Sequence, residues 1–164
     1  MSILSIILKI STDLSFNSND SNNPFKIFLL FILIVKLSNP SSLNVVYIIL
    51  GIFAIQELKV AGAYPIVAVD PISERREFAM KMGADFALDP TQRGFADEVK
   101  RITGGGVNVC IEVTGLGVGL IQALDCMKQF GRVALLGCTR SSKFEIDYYG
   151  KVHGPGISLI GAHT

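Results

Sequence analysis

The chain has 164 residues, 49% of them apolar, and 15 Lys and Arg against 14 Asp and Glu give it a net charge of +1. That length holds one domain with a sizeable core and is too short for two of ordinary size. Charge so close to balance argues against a nucleic-acid or polyacid surface and suggests no partner by charge.

Residues 1–50 contain no Gly and no Ala, whereas all 16 Gly lie from Gly51 onward. A polar low-complexity patch, Ser11–Pro24, precedes an apolar run, Ile27–Val35, set between Lys26 and Lys36. Neither that run nor Leu43–Ile55, which carries Asn44 and Gly51, approaches the ~20 apolar residues of a spanning helix. Met1–Ile10 meets a basic residue only at Lys9, so it does not read as a signal peptide. We expect residues 1–43 to be an atypical, irregular or poorly ordered extension with the flavour of translated AT-rich non-coding sequence, and residues 44–164 to form the domain. The alternative for the first part is an interfacial or hairpin membrane anchor.

From Asn44 the pattern becomes regular. Asn44–Leu50 predicts a first strand, and Gly51–Ala61 a helix with Ile52, Ile55 and Leu58 on one side and Gly62 after its end. Pro65–Asp70 is an apolar strand that stops on a carboxylate, followed at once by a helix over Ser73–Met82. Phe86–Leu88 is a short strand and Phe95–Ile102 a helix. Val107–Val113 is a fourth strand, after which Thr114–Gly117 turns into a helix running to about Phe130. Arg132–Leu136 and Ile157–Ile160 complete the set.

Strands alternating with helices of this length imply parallel pairing, with both faces of the sheet covered. The fold class is therefore α/β, a doubly wound parallel sheet of Rossmann-like type. Ligands of such sheets sit beyond the carboxyl ends of the strands, which places Asp70, Thr114, Gly115, Gly137, Cys138 and Gly161 on one edge. An acid closing the second strand hydrogen-bonds the adenosine ribose and repels the extra phosphate of NADP, so Asp70 points to NAD. The alternative is an Asp that only caps the next helix.

Cys110, Cys126 and Cys138 have no CxxC spacing and no nearby His. They read as small buried hydrophobes in a reducing, cytoplasmic compartment rather than as metal ligands. Gly115-x-Gly117-x-Gly119 follows a strand and opens a helix, but Leu120 stands where a third glycine belongs, and the strand after it ends without an acid.

Ile52-Phe53-Ala54-Ile55-Gln56, Ala61-Gly62-Ala63, Met82-Gly83-Ala84-Asp85 and Asp89-Pro90 occur in this order around the strand that ends at Asp70. Cys110-Ile111-Glu112-Val113-Thr114-Gly115, Phe130-Gly131-Arg132-Val133 and Leu159-Ile160-Gly161-Ala162-His163-Thr164 follow. Together they resemble the cofactor domain of zinc-type medium-chain alcohol and polyol dehydrogenases, over Gly51 to Thr164. The resemblance implies an NAD-linked oxidoreductase in which Asp70 holds the adenosine ribose, with Arg75 beside it. It also implies that Thr114 and Gly115 line the adenine-to-nicotinamide groove, that Gly137 and Cys138 sit near the nicotinamide, and that Gly161 presents backbone to the carboxamide. For Arg75 the alternative is a solvated helix charge. It further implies a homodimer paired along the Ile157–His163 edge.

Two departures stand out. Counting back from Gly51 as the third glycine of G-x-G-x-x-G puts Val46 and Ile48 at the first two positions, where branched side chains would fill the space of the phosphates. Gly51 keeps only its helix-packing role, and NAD binding is expected to be weak or lost. The family's catalytic zinc sits on a cysteine, a histidine and an acid of a preceding domain, yet residues 1–50 contain no Cys and no His. No catalytic residue and no metal ligand can be named in this chain, so we expect a truncated, inactive cofactor domain, with a non-catalytic dimerisation module as the alternative.

Overall fold

The computed structural model describes residues 28–31, 43–137 and 143–162, with side chains described from Ile49 onward. Strands alternate with helices along the chain: β1 (Phe28–Phe31), α1 (Leu43–Val60), β2 (Ile66–Val69), α2 (Ser73–Lys81), β3 (Phe86–Leu88), α3 (Phe95–Thr103), β4 (Val107–Glu112), α4 (Gly117–Cys126), β5 (Met127–Leu135), a π-helical turn (Tyr149–His153) and β6 (Ser158–Gly161). The six strands form one parallel sheet in the order β3-β2-β1-β4-β5-β6. The order reverses between β1 and β4, which is where doubly wound sheets open a crevice at their carboxyl ends.

Each strand sends alternate residues to opposite faces, and two cores result. Ile66 and Ala68 of β2 with Val109 and Ile111 of β4 pack under Ala54, Ile55 and Leu58 of α1 and Ala79 of α2. Val67 and Val69, with Cys110 and Val133, pack under Phe95 and Val99 of α3 and Leu120, Ala123 and Leu124 of α4. A sheet apolar on both faces is the reason its strands read as unbroken hydrophobic runs. Past the end of α1, Gly62 adopts φ 76. Its N–H donates to Lys59 O at 3.1 Å, and the N–H of Ala63 donates to Leu58 O at 3.0 Å. This closes the helix as a glycine after its end should.

Three expectations are corrected. Asn44–Leu50 is helix, not strand: its apolar run carries no alternation, and cooperative continuation into Gly51–Val60 makes one helix of 18 residues. Gly51 lies buried inside that helix, where a glycine costs about 1 kcal/mol relative to Ala without breaking it. The strand that pairs with both β2 and β4 is Phe28–Phe31, inside the stretch set apart as an extension. The helix expected to reach Phe130 ends at Cys126, and β5 starts at Met127. Met127 pairs with Val107 and Arg132 with Val109, so two steps on β4 face five on β5. This bulge carries Phe130 at φ 60 and sends its N–H to Pro155 O at 2.9 Å.

Leu58 is fully buried and Val60 is 85% exposed on the same helix. Leu58→Ala should lower unfolding free energy in urea by about 2–5 kcal/mol, while Val60→Ala should change it by less than about 0.5 kcal/mol.

Candidate functional site

Asp70 follows the last residue of β2 and is 2% exposed. Its N–H donates to Leu88 O at 3.2 Å, fixing the residue against the end of β3. One carboxylate oxygen, Oδ1, accepts the N–H of Ile72 at 2.8 Å. The turn into α2 therefore takes its acceptor from Asp70, and α2 itself has no side-chain cap at its start. The other oxygen, Oδ2, lies 3.8 Å from Arg75 Nη1, too far for a hydrogen bond. Both atoms are buried and neither has a hydrogen-bond partner. Arg76 donates to Asp70 O at 2.7 Å and lies 3.6 Å from Asp89 Oδ2, so two guanidinium groups converge on the ends of β2 and β3.

Burial pushes the Asp70 carboxyl up from 3.8 to about 6, against the opposing pull of the Ile72 N–H and the two arginines. Oδ2 and Nη1 attract each other as an ion pair while neither makes a hydrogen bond. The expectations for Asp70 and Arg75 thus fall at one spot, and Arg75 is a partly buried neighbour of Asp70 rather than a solvated charge. Asp89, one residue past β3, has its carboxyl held below the usual range by the hydroxyl and N–H of Thr91, at 2.6 and 2.9 Å.

Two strands along, β4 ends on Glu112, itself 2% exposed. Its Oε1 accepts the N–H of Thr114 at 2.7 Å and the Thr114 hydroxyl, and its Oε2 accepts the N–H of Gly115 at 2.9 Å. The Thr114 hydroxyl also accepts the N–H of Leu116 at 3.0 Å. Burial raises the Glu112 carboxyl's pKa, and the Thr114 and Gly115 donors oppose it. Sequence reasoning passed over this acid because Ile111 and Val113 make it look like part of a core strand. The signal available was a lone carboxylate in an apolar run that stops at Thr-Gly.

Gly137 meets this turn directly. A Cβ on it would stand 2.1 Å from Gly115 N and 2.5 Å from Val113 C. Thr114, Gly115 and Gly137 are thereby brought together. Gly161 ends β6 with open space where a Cβ would be, Gly51 is inside α1, and Cys138 and His163 lie outside the described residues. Gly117, from the second glycine motif, packs against the Phe144 ring, which a Cβ would meet at 2.5 Å.

The register that put Val46 and Ile48 in a phosphate-binding turn is corrected, since both lie within α1. The connection from β1 to α1, residues 32–42, contains no glycine and lies outside the described residues. Among the described residues no three His, Cys, Asp or Glu gather as metal ligands would, so those residues do not fit a zinc ion. No described helix is long and apolar enough to cross a membrane.

A family model described as zinc-binding dehydrogenase matches residues 50–163. L-threonine 3-dehydrogenase of Pyrococcus horikoshii is 36% identical over 113 residues, covering 68% of this chain and 32% of the relative. D-guloside 3-dehydrogenase of Escherichia coli is 38% identical over 86 residues, or 52% of this chain and 25% of the relative. Among solved structures, an alcohol dehydrogenase zinc-binding domain protein of Burkholderia ambifaria has a TM-score of 0.67 at 27% identity, over 84% of this chain and 33% of its own. Benzyl alcohol dehydrogenase of Acinetobacter calcoaceticus has a TM-score of 0.65 at 26% identity, over 85% and 34%. The chain spans about a third of the length of these relatives.

Two outcomes follow from this geometry. In the unfolded chain Asp70 titrates near 3.8 and in the folded chain near 6. The folded state therefore binds more protons between those values, and the contribution to stability, full below about 4, is lost as pH rises through 6. Asp70→Asn should flatten the fall in stability over that window by up to about 3 kcal/mol in urea titrations. Gly137→Ala should lower the melting temperature by more than any single Leu-to-Ala change in the core, because the atoms it meets are backbone.

Proposed function

The chain belongs to the zinc-binding dehydrogenase family, and we propose that it serves there as the NAD-binding part of an alcohol or polyol oxidoreductase. The observation that carries this reading is the buried Oδ2 of Asp70 facing Nη1 of Arg75 at 3.8 Å at the end of β2, neither atom having a hydrogen-bond partner. The adenosine ribose supplies the hydroxyls that such a pair lacks. An acid here also disfavours a phosphate on that ribose, which selects NAD over NADP. From Asp70 the dinucleotide crosses the switch point toward Thr114, Gly115 and Gly137, with Gly161 at the nicotinamide end. NAD, when bound, accepts the hydride. This chain's residues bind and orient it, and none of them is assigned to the alcohol or to zinc, so the isolated chain turns over no alcohol.

Two smaller parts of the reading rest on separate observations. The buried thiol of Cys126 suits a reducing cytoplasm. The outer edge of β6, where Leu159 is 39% exposed, suits pairing with a second copy.

Calorimetry with AMP and NAD tests the proposal. AMP should bind the full chain, and Asp70→Ala should weaken it by about tenfold to a hundredfold through loss of charge-assisted hydrogen bonds. Because ribose hydroxyls donate to the ionised carboxylate, affinity should rise with pH through about 6 and then level. A folded chain that binds AMP no better than Asp70→Ala does would refute the reading.

A further inference from the structure

Asp70 stands one residue beyond the ladder of β2 and β3, whose last pair is Val69 and Leu88. Both of its main-chain groups are nevertheless taken. Its N–H donates to Leu88 O at 3.2 Å, and its carbonyl accepts a charge-assisted hydrogen bond from Arg76 Nη1 at 2.7 Å, the stronger kind available to a carbonyl. The same nitrogen lies 3.6 Å from Asp89 Oδ2, in a partly buried ion pair. Asp89 is itself anchored, because its other oxygen accepts the N–H and the hydroxyl of Thr91 at 2.9 and 2.6 Å. Thr91, Asp89 and Arg76 thus form a strut from the exit of β3 to the main chain of Asp70.

Arg75 and Arg76 are neighbours with different targets. Arg75 faces the Asp70 carboxylate, at 3.8 Å from Oδ2, whereas Arg76 is bonded to the main chain behind it. We propose that Arg76 is a positioning residue for Asp70, holding its main chain against the exit of β3 so that the carboxylate meets the ribose at one fixed place. This deepens the NAD reading and rests on it. Asp89 has the matching part of fixing the arginine.

A residue that acts through Asp70 matters only while Asp70 is there, so a double-mutant cycle isolates this role. By calorimetry with AMP on the full chain, at a pH well above the value of about 6 for Asp70, Arg76→Leu should bind about tenfold more weakly than wild type. In the Asp70→Ala background the same change should leave AMP affinity as it is. A direct pull of the guanidinium on the phosphate of AMP, or a general loosening of the fold, weakens both backgrounds alike, and that result overturns the proposal. No loss in either background overturns it too, and both results leave Asp70 as the ribose site. Asp89→Asn keeps Arg76 but removes the charge that pins it, and should cost about threefold, again only with Asp70 present. If Arg76→Leu fails to fold, this second variant carries the cycle, with the same results for and against. Wild-type chain that binds AMP no better than Asp70→Ala overturns the ribose reading and this one with it.

Discussion

A strand of a parallel sheet hands its chain to a turn whose N–H groups no longer have a ladder to join, and in this protein an acid answers that need three times. Asp70 after β2, Asp89 after β3 and Glu112 at the end of β4 each accept the N–H two residues further on, at 2.8, 2.9 and 2.7 Å. All three lie along the carboxyl edge, where ligands of this architecture bind. The acids are thus first a solution to backbone hydrogen bonding.

They are satisfied to different degrees, and that sorts their roles. Asp89 is in contact with solvent and holds Thr91, with its carboxyl kept below the usual range. Glu112 is buried and has both oxygens engaged. Asp70 is buried with one oxygen engaged and the other left over beside an equally unsatisfied guanidinium nitrogen. Burial of its carboxyl is a standing cost to the folded chain, expressed in the raised pKa of Asp70, and the Ile72 N–H and the two arginines offset only part of it.

How far the sequence could be read follows the same physics. Strands β2, β3, β4 and β6 and helices α2 and α3 were legible because short apolar runs end on Gly, Pro or Asp, and helix spacing returns after each. Residues 43–50 were not, because Val45, Val46, Ile48, Ile49 and Leu50 are apolar without alternation, and only the continuation through Gly51 to Val60 decides for helix. The contribution of Phe28–Phe31 was hidden by its composition, since Leu, Ile and Phe beside Lys and Asn look the same in a strand as in an unselected segment. The start of β5 was missed because Lys128–Gly131 belong to a bulge, and bulges carry no period. Asp70 announced itself by standing at the end of a strand, whereas Glu112 sits between Ile111 and Val113 and declares its function only through the turn it holds.

The contact between Gly137 and Gly115 gives this edge a further property. There, two main chains meet without intervening side chains, so the separation of the β4 and β5 exits is fixed by a hard stop rather than by the elastic filling of a core. Changes in side-chain volume beneath the sheet can drift, and with them the stability of the domain, while the spacing of these two exits stays where backbone contact sets it. Stability and the geometry of this rim can in this way be altered one at a time.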